Sequence, residues 1–260
     1  MKYIAVFFLI SLILGCGSAN YIEEQGTPKH KIHTESLPKW VHSLPSGIEY
    51  VVGISKLTYD EDKCIDAAKQ MAAVMMSRNK SSFSIDKFAI EASEDVMQSG
   101  KASFTLNVSA SPNRTNRIYN ELVLIDSVKY QGNFIGLFST MQTQLPAEYN
   151  ECKVASVPDI RPEIEETKNN IVVWTEGSSA DLTTAWEKAA DNGRTKIAGF
   201  LSNTVSGSVV SMNELTKKNI AVETSEIIKN LKISESFIQS ELYVGLPLYR
   251  VYHKMTMEKK

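Results

Sequence analysis

The sequence predicts an α+β fold built as two tandem repeats. Each repeat sets an alanine-rich helix and a second helix on one face of a small, mostly antiparallel sheet. Three observations carry this reading. Short β-branched runs alternate with longer amphipathic stretches. The early pattern of Val51-Val52 followed by Ala67-Ala68 returns as Val172-Val173 followed by Ala189-Ala190. The late pattern Ile125-x-Ser127-x-x-Tyr130-x-Gly132 returns as Ile238-x-Ser240-x-x-Tyr243-x-Gly245, a constant shift of 113 positions (125 to 238). The early match needs a shift of 121 (51 to 172) or 122 (67 to 189), so the first copy is the longer.

Residues 1–15 read as a lipoprotein signal peptide. Lys2 gives the positive start, Tyr3 to Leu14 is apolar apart from Ser11, and Gly15 stands directly before Cys16. A membrane-spanning helix needs about 20 apolar residues, so this run is too short to be one. Ile13-Leu14-Gly15-Cys16 resembles the bacterial lipobox. The resemblance implies that Cys16 is acylated and begins the mature protein. One acyl chain holds only marginally, whereas two or more hold stably, at about 0.8 kcal/mol per buried methylene. The plainer alternative is an ordinary signal with an incidental cysteine, and the position of Cys16 at the cleavage point argues against it. Gly17-Ser18-Ala19-Asn20 places no aspartate beside the anchor, which in such lipoproteins implies the outer membrane, on its periplasmic or surface face.

Residues 16–37 are polar and aperiodic, a flexible tether. His30, His33 and His42 fall in or just past it. No Cys, Asp or Glu completes a ligand-spaced set nearby, so solvated histidines are the better reading than a metal site.

Residues 38–143 form the first repeat. Pro38-Lys39-Trp40-Val41 opens it, with Trp40 as an apolar plug. Tyr50 to Ser55 reads as a strand. Thr58-x-x-Glu61 matches a capping box. The helix that follows places Cys64, Ala67, Ala68, Met71, Ala72 and Met75 on one face. Ser81 to Ile90 alternates as a second strand through Phe83 and Ile85. Residues 92–117 predict a helix or an irregular crossover. Leu122 to Tyr130 and Phe134 to Met141 read as a hairpin turning at Gly132-Asn133.

Residues 144–170 have the composition of a linker: Pro146, Pro158, Pro162, an acidic run over 163–166, and room for one helical turn. Residues 171–257 form the second repeat. A strand starts at Ile171. A helix from about Ala180 carries Leu182, Ala185, Trp186, Ala189, Ala190, Ile197, Ala198 and Leu201 on one stripe. A strand over Val205 to Met212, a helix over Ile220 to Leu231, and strands over Ile233 to Tyr243 and Leu248 to Met257 complete the expected order.

The formal net charge is −2. Removing residues 1–15 takes away Lys2 and no acid, leaving −3. A nucleic-acid-binding surface calls for a strongly basic domain, so this balance argues against one. Of the three cysteines, Cys16 belongs to the lipid, which leaves Cys64 and Cys152 in an oxidising compartment. A disulfide between them is compatible with that compartment. The place of Cys64 on the inner helix face instead suits a free cysteine packing as a small hydrophobe.

Pro38-x-Trp40-Val41, then Tyr50-Val51-Val52-Gly53-Ile54-Ser55, then a long alanine-rich helix behind a lipobox, resemble the family of twenty-kilodalton surface lipoproteins (Lpp-twenty), in two tandem copies. That family includes flagellum-associated outer-membrane lipoproteins. The resemblance is clearest over residues 38–76. Two departures touch the second copy: Trp174 stands where the first has Gly53, and Arg194 matches an arginine often found late in the helix that the first copy lacks. The resemblance supplies no catalytic residues. It implies an envelope protein that works by assembly or contact, bound to the membrane through its lipid and to envelope proteins or copies of itself.

No motif for a serine hydrolase elbow, a phosphate loop or a zinc-binding helix occurs. Asn192-Gly193-Arg194-Thr195-Lys196 has the wrong glycine spacing and sits inside the second alanine helix. His253 lies on a strand beside Val251 and Met255, as a core or edge histidine would. The expectation is therefore a non-enzymatic protein with no cofactor and no metal. It is either a structural or assembly lipoprotein, or a ligand-binding module that uses a cleft between the repeats near Trp174, Trp186 and the linker.

Overall fold

The computed structural model describes residues 36–87, 111–153, 164–210, 223–243 and 245–259. The signal peptide, Cys16, His30, His33 and most of residues 92–117 lie outside the described residues. So do positions 88–90, the end of the strand expected over Ser81 to Ile90.

The chain enters through β1 (Leu37–Pro38) and the short α1 (Lys39–His42). Next come β2 (Tyr50–Lys56), α2 (Glu61–Lys80) and β3 (Ser81–Lys87). Then follow α3 (Pro112–Glu121), β4 (Val123–Tyr130) and β5 (Asn133–Ser139). A 3-10 turn (Ala147–Tyr149), β6 (Cys152–Lys153) and β7 (Ile164–Glu166) cross the stretch expected to be linker. β8 (Asn170–Ser179), α4 (Leu182–Val210), β9 (Glu223–Lys229), β10 (Leu231–Tyr243) and β11 (Leu246–Glu258) complete the order.

The fold is α+β, with every strand pairing antiparallel. A three-stranded sheet runs β2-β5-β4, and a four-stranded sheet runs β10-β11-β8-β7. Two ribbons, β1-β6 and β3-β9, stitch distant parts of the chain together. In both larger sheets the strand that opens the half lies beside the last one, with the penultimate strand beyond it.

In the first half, β2 is buried except at Lys56. It can lie that close beneath α2 because Gly53 has no side chain: a Cβ there would come within 2.0 Å of the Ala68 carbonyl oxygen. Cys64, Ala68, Met71, Ala72 and Met75 face inward as expected, but Ala67 is exposed, and Ala73, Met76 and Ser77 are buried in its stead. The capping box does not form. Asp60 caps the helix by accepting the Lys63 amide on Oδ1 at 3.3 Å, while the Thr58 hydroxyl donates to the Asp60 carbonyl. Pro112 begins α3 at the position where a missing N–H costs nothing. The hairpin turns at Gln131-Gly132, not Gly132-Asn133. Both turn residues have positive φ, 45° and 73°, while Asn133 is buried in β5 and donates back to the Gln131 carbonyl.

In the second half, β8 alternates cleanly, with Ile171, Val173, Thr175 and Gly177 inward. Gly177 now does what Gly53 does in the first half: its Cβ would lie 2.3 Å from the Ala185 carbonyl oxygen. The close approach is therefore preserved three residues beyond Trp174. The expected stripe of α4 is buried from Leu182 to Ala198, and Leu201 is half-buried.

Two expectations fail here. Where a strand was expected over Val205 to Met212, residues 205–210 are instead the last turns of α4, and 211–212 lie outside the described residues. Where a helix was expected over Ile220 to Leu231, residues 223–229 are instead β9, paired along its whole length with β3, and 220–222 lie outside the described residues. The second half thus lacks a counterpart to α3 among the described residues. The expected linker also contributes β6 and β7, the latter an edge strand on β8. One contiguous apolar core runs through both halves, from Leu37 and Trp40 to Met255 and Met257. No described helix is long and apolar enough to cross a membrane.

Candidate functional site

The first half of β2 forms one wall of a cleft where the two larger sheets approach each other. Tyr50, Val51 and Val52 lie on this wall, and the turn from Leu44 to Glu49 leads into it. The floor comes from the end of α2, through Met75, Met76 and Asn79, and from Trp186 on α4. The far wall is the start of β10, Leu231 to Ser234. The volume is about 780 Å³, within the range of ordinary ligand sites. Two ion pairs stand at its rim, Lys80–Glu49 at 3.0 Å and Lys232–Glu258 at 3.2 Å.

A polar network lies under the floor. Arg194 is fully buried on the otherwise apolar stripe of α4. Its Nη1 donates to Asp191 at 2.7 Å and its Nη2 to Asn79 at 2.6 Å. Arg78 approaches the other oxygen of Asp191 at 3.6 Å. Burial pulls the Arg194 guanidinium down to about 10, against the restoring charge of Asp191. Burial raises the Glu187 carboxyl above the usual carboxylate range, with Arg78 opposing it.

Beside this network, His253 meets the Ser236 hydroxyl at 2.9 Å through Nδ1 and the Trp186 carbonyl at 3.2 Å through Nε2. Its ring stands edge-on to Trp186 at 4.4 Å. Complete burial lowers it to about 3, and the positive charge of Arg194 acts in the same direction. Burial keeps the ring neutral; the carbonyl accepts only from Nε2–H, so Nδ1 accepts the serine proton. Both nitrogens are occupied and neither reaches solvent. The expected core histidine is what is found, with no free nitrogen for base chemistry.

The other sequence candidates are scattered. Cys64 and Cys152 are free thiols, the first buried and the second exposed, so the Cys64–Cys152 disulfide is not formed. The Cys64 sulfur is turned inward, where it accepts the Thr58 amide at 3.2 Å. His42 donates from Nδ1 to the Ser236 carbonyl at 3.1 Å, and burial lowers it below the ordinary histidine value. No group of three His, Cys, Asp or Glu side chains suited to a metal occurs among the described residues. Asn192 and Gly193 sit within α4: Asn192 donates to the Glu176 carbonyl, and Gly193 makes room for Met255, so they cradle nothing. Trp186 lines the cleft, but Trp174 lies elsewhere, against Phe237 at 5.9 Å and under Lys254. None of the described residues of 144–170 lines the cleft.

Tyr50, Val52 and Asn79 were not legible as site residues. Only Asn79 had a sequence signal, an indirect one: a lone arginine on the alanine stripe of α4 needs polar partners, and Asn79 is one of them beside Asp191. In comparison with known proteins, no family model, no curated protein and no solved structure matches the chain.

Proposed function

We propose that the protein is a lipid-anchored bacterial envelope protein that works by contact, in a structural, assembly or protein-interaction role at the outer membrane. The observation that carries the contact reading is the cleft of about 780 Å³ between the two sheets, with an apolar floor and a charged rim. Sealed chemistry beneath that floor favours binding over catalysis, since both nitrogens of His253 are engaged inside the core. The anchor rests on Ile13-Leu14-Gly15-Cys16 and on the polar run over residues 16–37. The same cleft supports a second reading, a periplasmic or surface ligand-binding module.

We also propose that the halves descend from one duplicated unit of the twenty-kilodalton surface lipoprotein kind. The matching strand orders and the paired close approaches at Gly53 and Gly177 support it. The presence of β9, where the second helix was expected, counts as divergence.

Two measurements test the proposal. Palmitate will label the protein in cells, and Cys16→Ala will release it from the membrane fraction; an unlabelled protein, or a variant still bound to membranes, removes the anchor. A photo-crosslinking residue at Ser46, on the cleft rim, will give discrete adducts in cells. A clean absence of adducts at Ser46 argues against the cleft as the contact site.

A further inference from the structure

We propose that the cleft takes an extended, uncharged polypeptide segment, which adds as a strand to the free edge of β2. This inference rests on the cleft being the contact site.

In an antiparallel ladder the N–H and C=O of one residue point to the same neighbour, and successive residues alternate sides. The two-residue turn at Gln131-Gly132 makes Tyr130 and Asn133 the closing hydrogen-bonded pair. Counting along β5 from Asn133, the backbone groups of Phe134, Gly136 and Phe138 address β2. Their partners there are Ser55, Gly53 and Val51. The backbone groups of Tyr50, Val52 and Ile54 therefore turn outward, away from the sheet. Ile54 bears this out independently: its N–H meets the Met71 sulfur at 3.1 Å, and its carbonyl accepts the Thr183 hydroxyl at 3.5 Å.

Those two side chains close the edge at Ile54. Further back no described strand pairs with it. Among the described residues no other element hydrogen-bonds the outward groups of Tyr50 or Val52, and both residues line the cleft. Two outward residues at i and i+2 are the docking unit of β-strand addition. The apolar side chains left part-exposed in the cleft are Leu44, Ile48 and Ile233. The charged side chains that line the cleft are Glu49, Lys80, Lys232 and Glu258, and they already neutralise one another in pairs. That balance leaves nothing to compensate a charge carried into the middle of the cleft, so the segment that fits is uncharged and alternately apolar.

The probe is fluorescent acetyl-Thr-Val-Thr-Val-Thr-Val amide, followed by anisotropy on the full chain in detergent. Two derivatives are compared, N-methylated on all threonines or on all valines. Strand addition uses alternate amides only, so one pattern will lose at least about tenfold in affinity and the other will bind as the parent does. Val52→Pro removes one outward N–H without touching the ladder, a place where an edge strand tolerates proline. It will keep the circular dichroism of the parent and lose binding, whereas Val51→Pro will lose the fold.

Equal binding of both methylated peptides overturns the strand mode, and if Val52→Pro does not fold this pair alone decides. Self-association that Val52→Pro abolishes, with no peptide bound, overturns it in favour of a second copy of this chain. Failure of the peptide to bind at about millimolar concentration, with Ser46 adducts still formed in cells, overturns the inference and leaves the cleft reading standing. Loss of both removes both.

Discussion

Asn79, near the end of α2, accepts a 2.6 Å hydrogen bond from the buried Nη2 of Arg194 on α4. The two long helices are thus joined by a charged group with no exposed surface, and Asp191 supplies its counter-charge at 2.7 Å. A buried ion pair is worth little against an apolar replacement, but breaking one side of it is expensive.

Asp191→Ala will leave the Arg194 charge in the core without its counter-ion; because the Asp191 side chain is 38% exposed, the loss in urea denaturation will be about 2 kcal/mol, below that of a pair buried on both sides. The double variant Asp191→Ala with Arg194→Met will recover most of that loss, because it removes both charges together. Equal losses in the single and double variants would show that the pair does not set the cost.

Stability will fall as pH drops below about 6.5. His253 has its folded value near 3 because burial penalises its cation, whereas the unfolded chain protonates it near 6.5. Between those values the unfolded state binds more protons, so the contribution is complete above 6.5 and is lost as pH falls toward 3, at up to about 1.4 kcal/mol per pH unit. His42, also lowered by burial, adds in the same direction. His253→Gln will flatten the slope measured by chemical denaturation across this range. An unchanged slope would place the sensitivity elsewhere.

Gly53→Ala will cost about 3 kcal/mol, and Gly132→Ala only about 1. At Gly53 a methyl group meets the backbone of α2 within 2.0 Å, and that backbone has no rotamer with which to yield. At Gly132 the space is open and the only penalty is a φ of +73°. Thermal unfolding of the two variants will rank them; the reverse order would contradict the packing of β2 under α2.

In the native protein iodoacetamide will modify Cys152 and spare Cys64, with or without reductant. Cys152 is exposed, whereas Cys64 is buried with its sulfur against Thr58. Unfolding will release the second thiol, as mass spectrometry will read. A mass pattern that changes with reductant would reveal a bridge.

Local pattern made part of this fold legible. β2, the inward face of α2, the stripe of α4 and the last hairpin were all written in periodicity, because each element's burial repeats along its own sequence. The misreadings share a cause. Residues 205–210 carry three valines and suit a strand by propensity, yet α4 continues through them, as tertiary context allows. Residues 223–229 were read as helix, and their partner β3 lies far away in the chain, beyond any local signal. β6 and β7 are two and three residues long, too short to show a period. Of the site, Trp186 and the junction between halves were foreseeable. The free edge of β2 was not, because an edge is defined by which strands come next to it, and β2 meets its one described neighbour, β5, only through long-range pairing.

The pairing of β3 with β9 sets a condition on how this chain is born. A ribosome or a secretion pore delivers β3 long before its mate exists, and β1 and α1 wait likewise for β6 and β10. The leading half therefore emerges with raw edges that only the trailing half can cover. Any compartment that matures this protein has to shield those edges until synthesis is finished, and a chain truncated before β9 will be a substrate for aggregation or proteolysis and not a smaller working version.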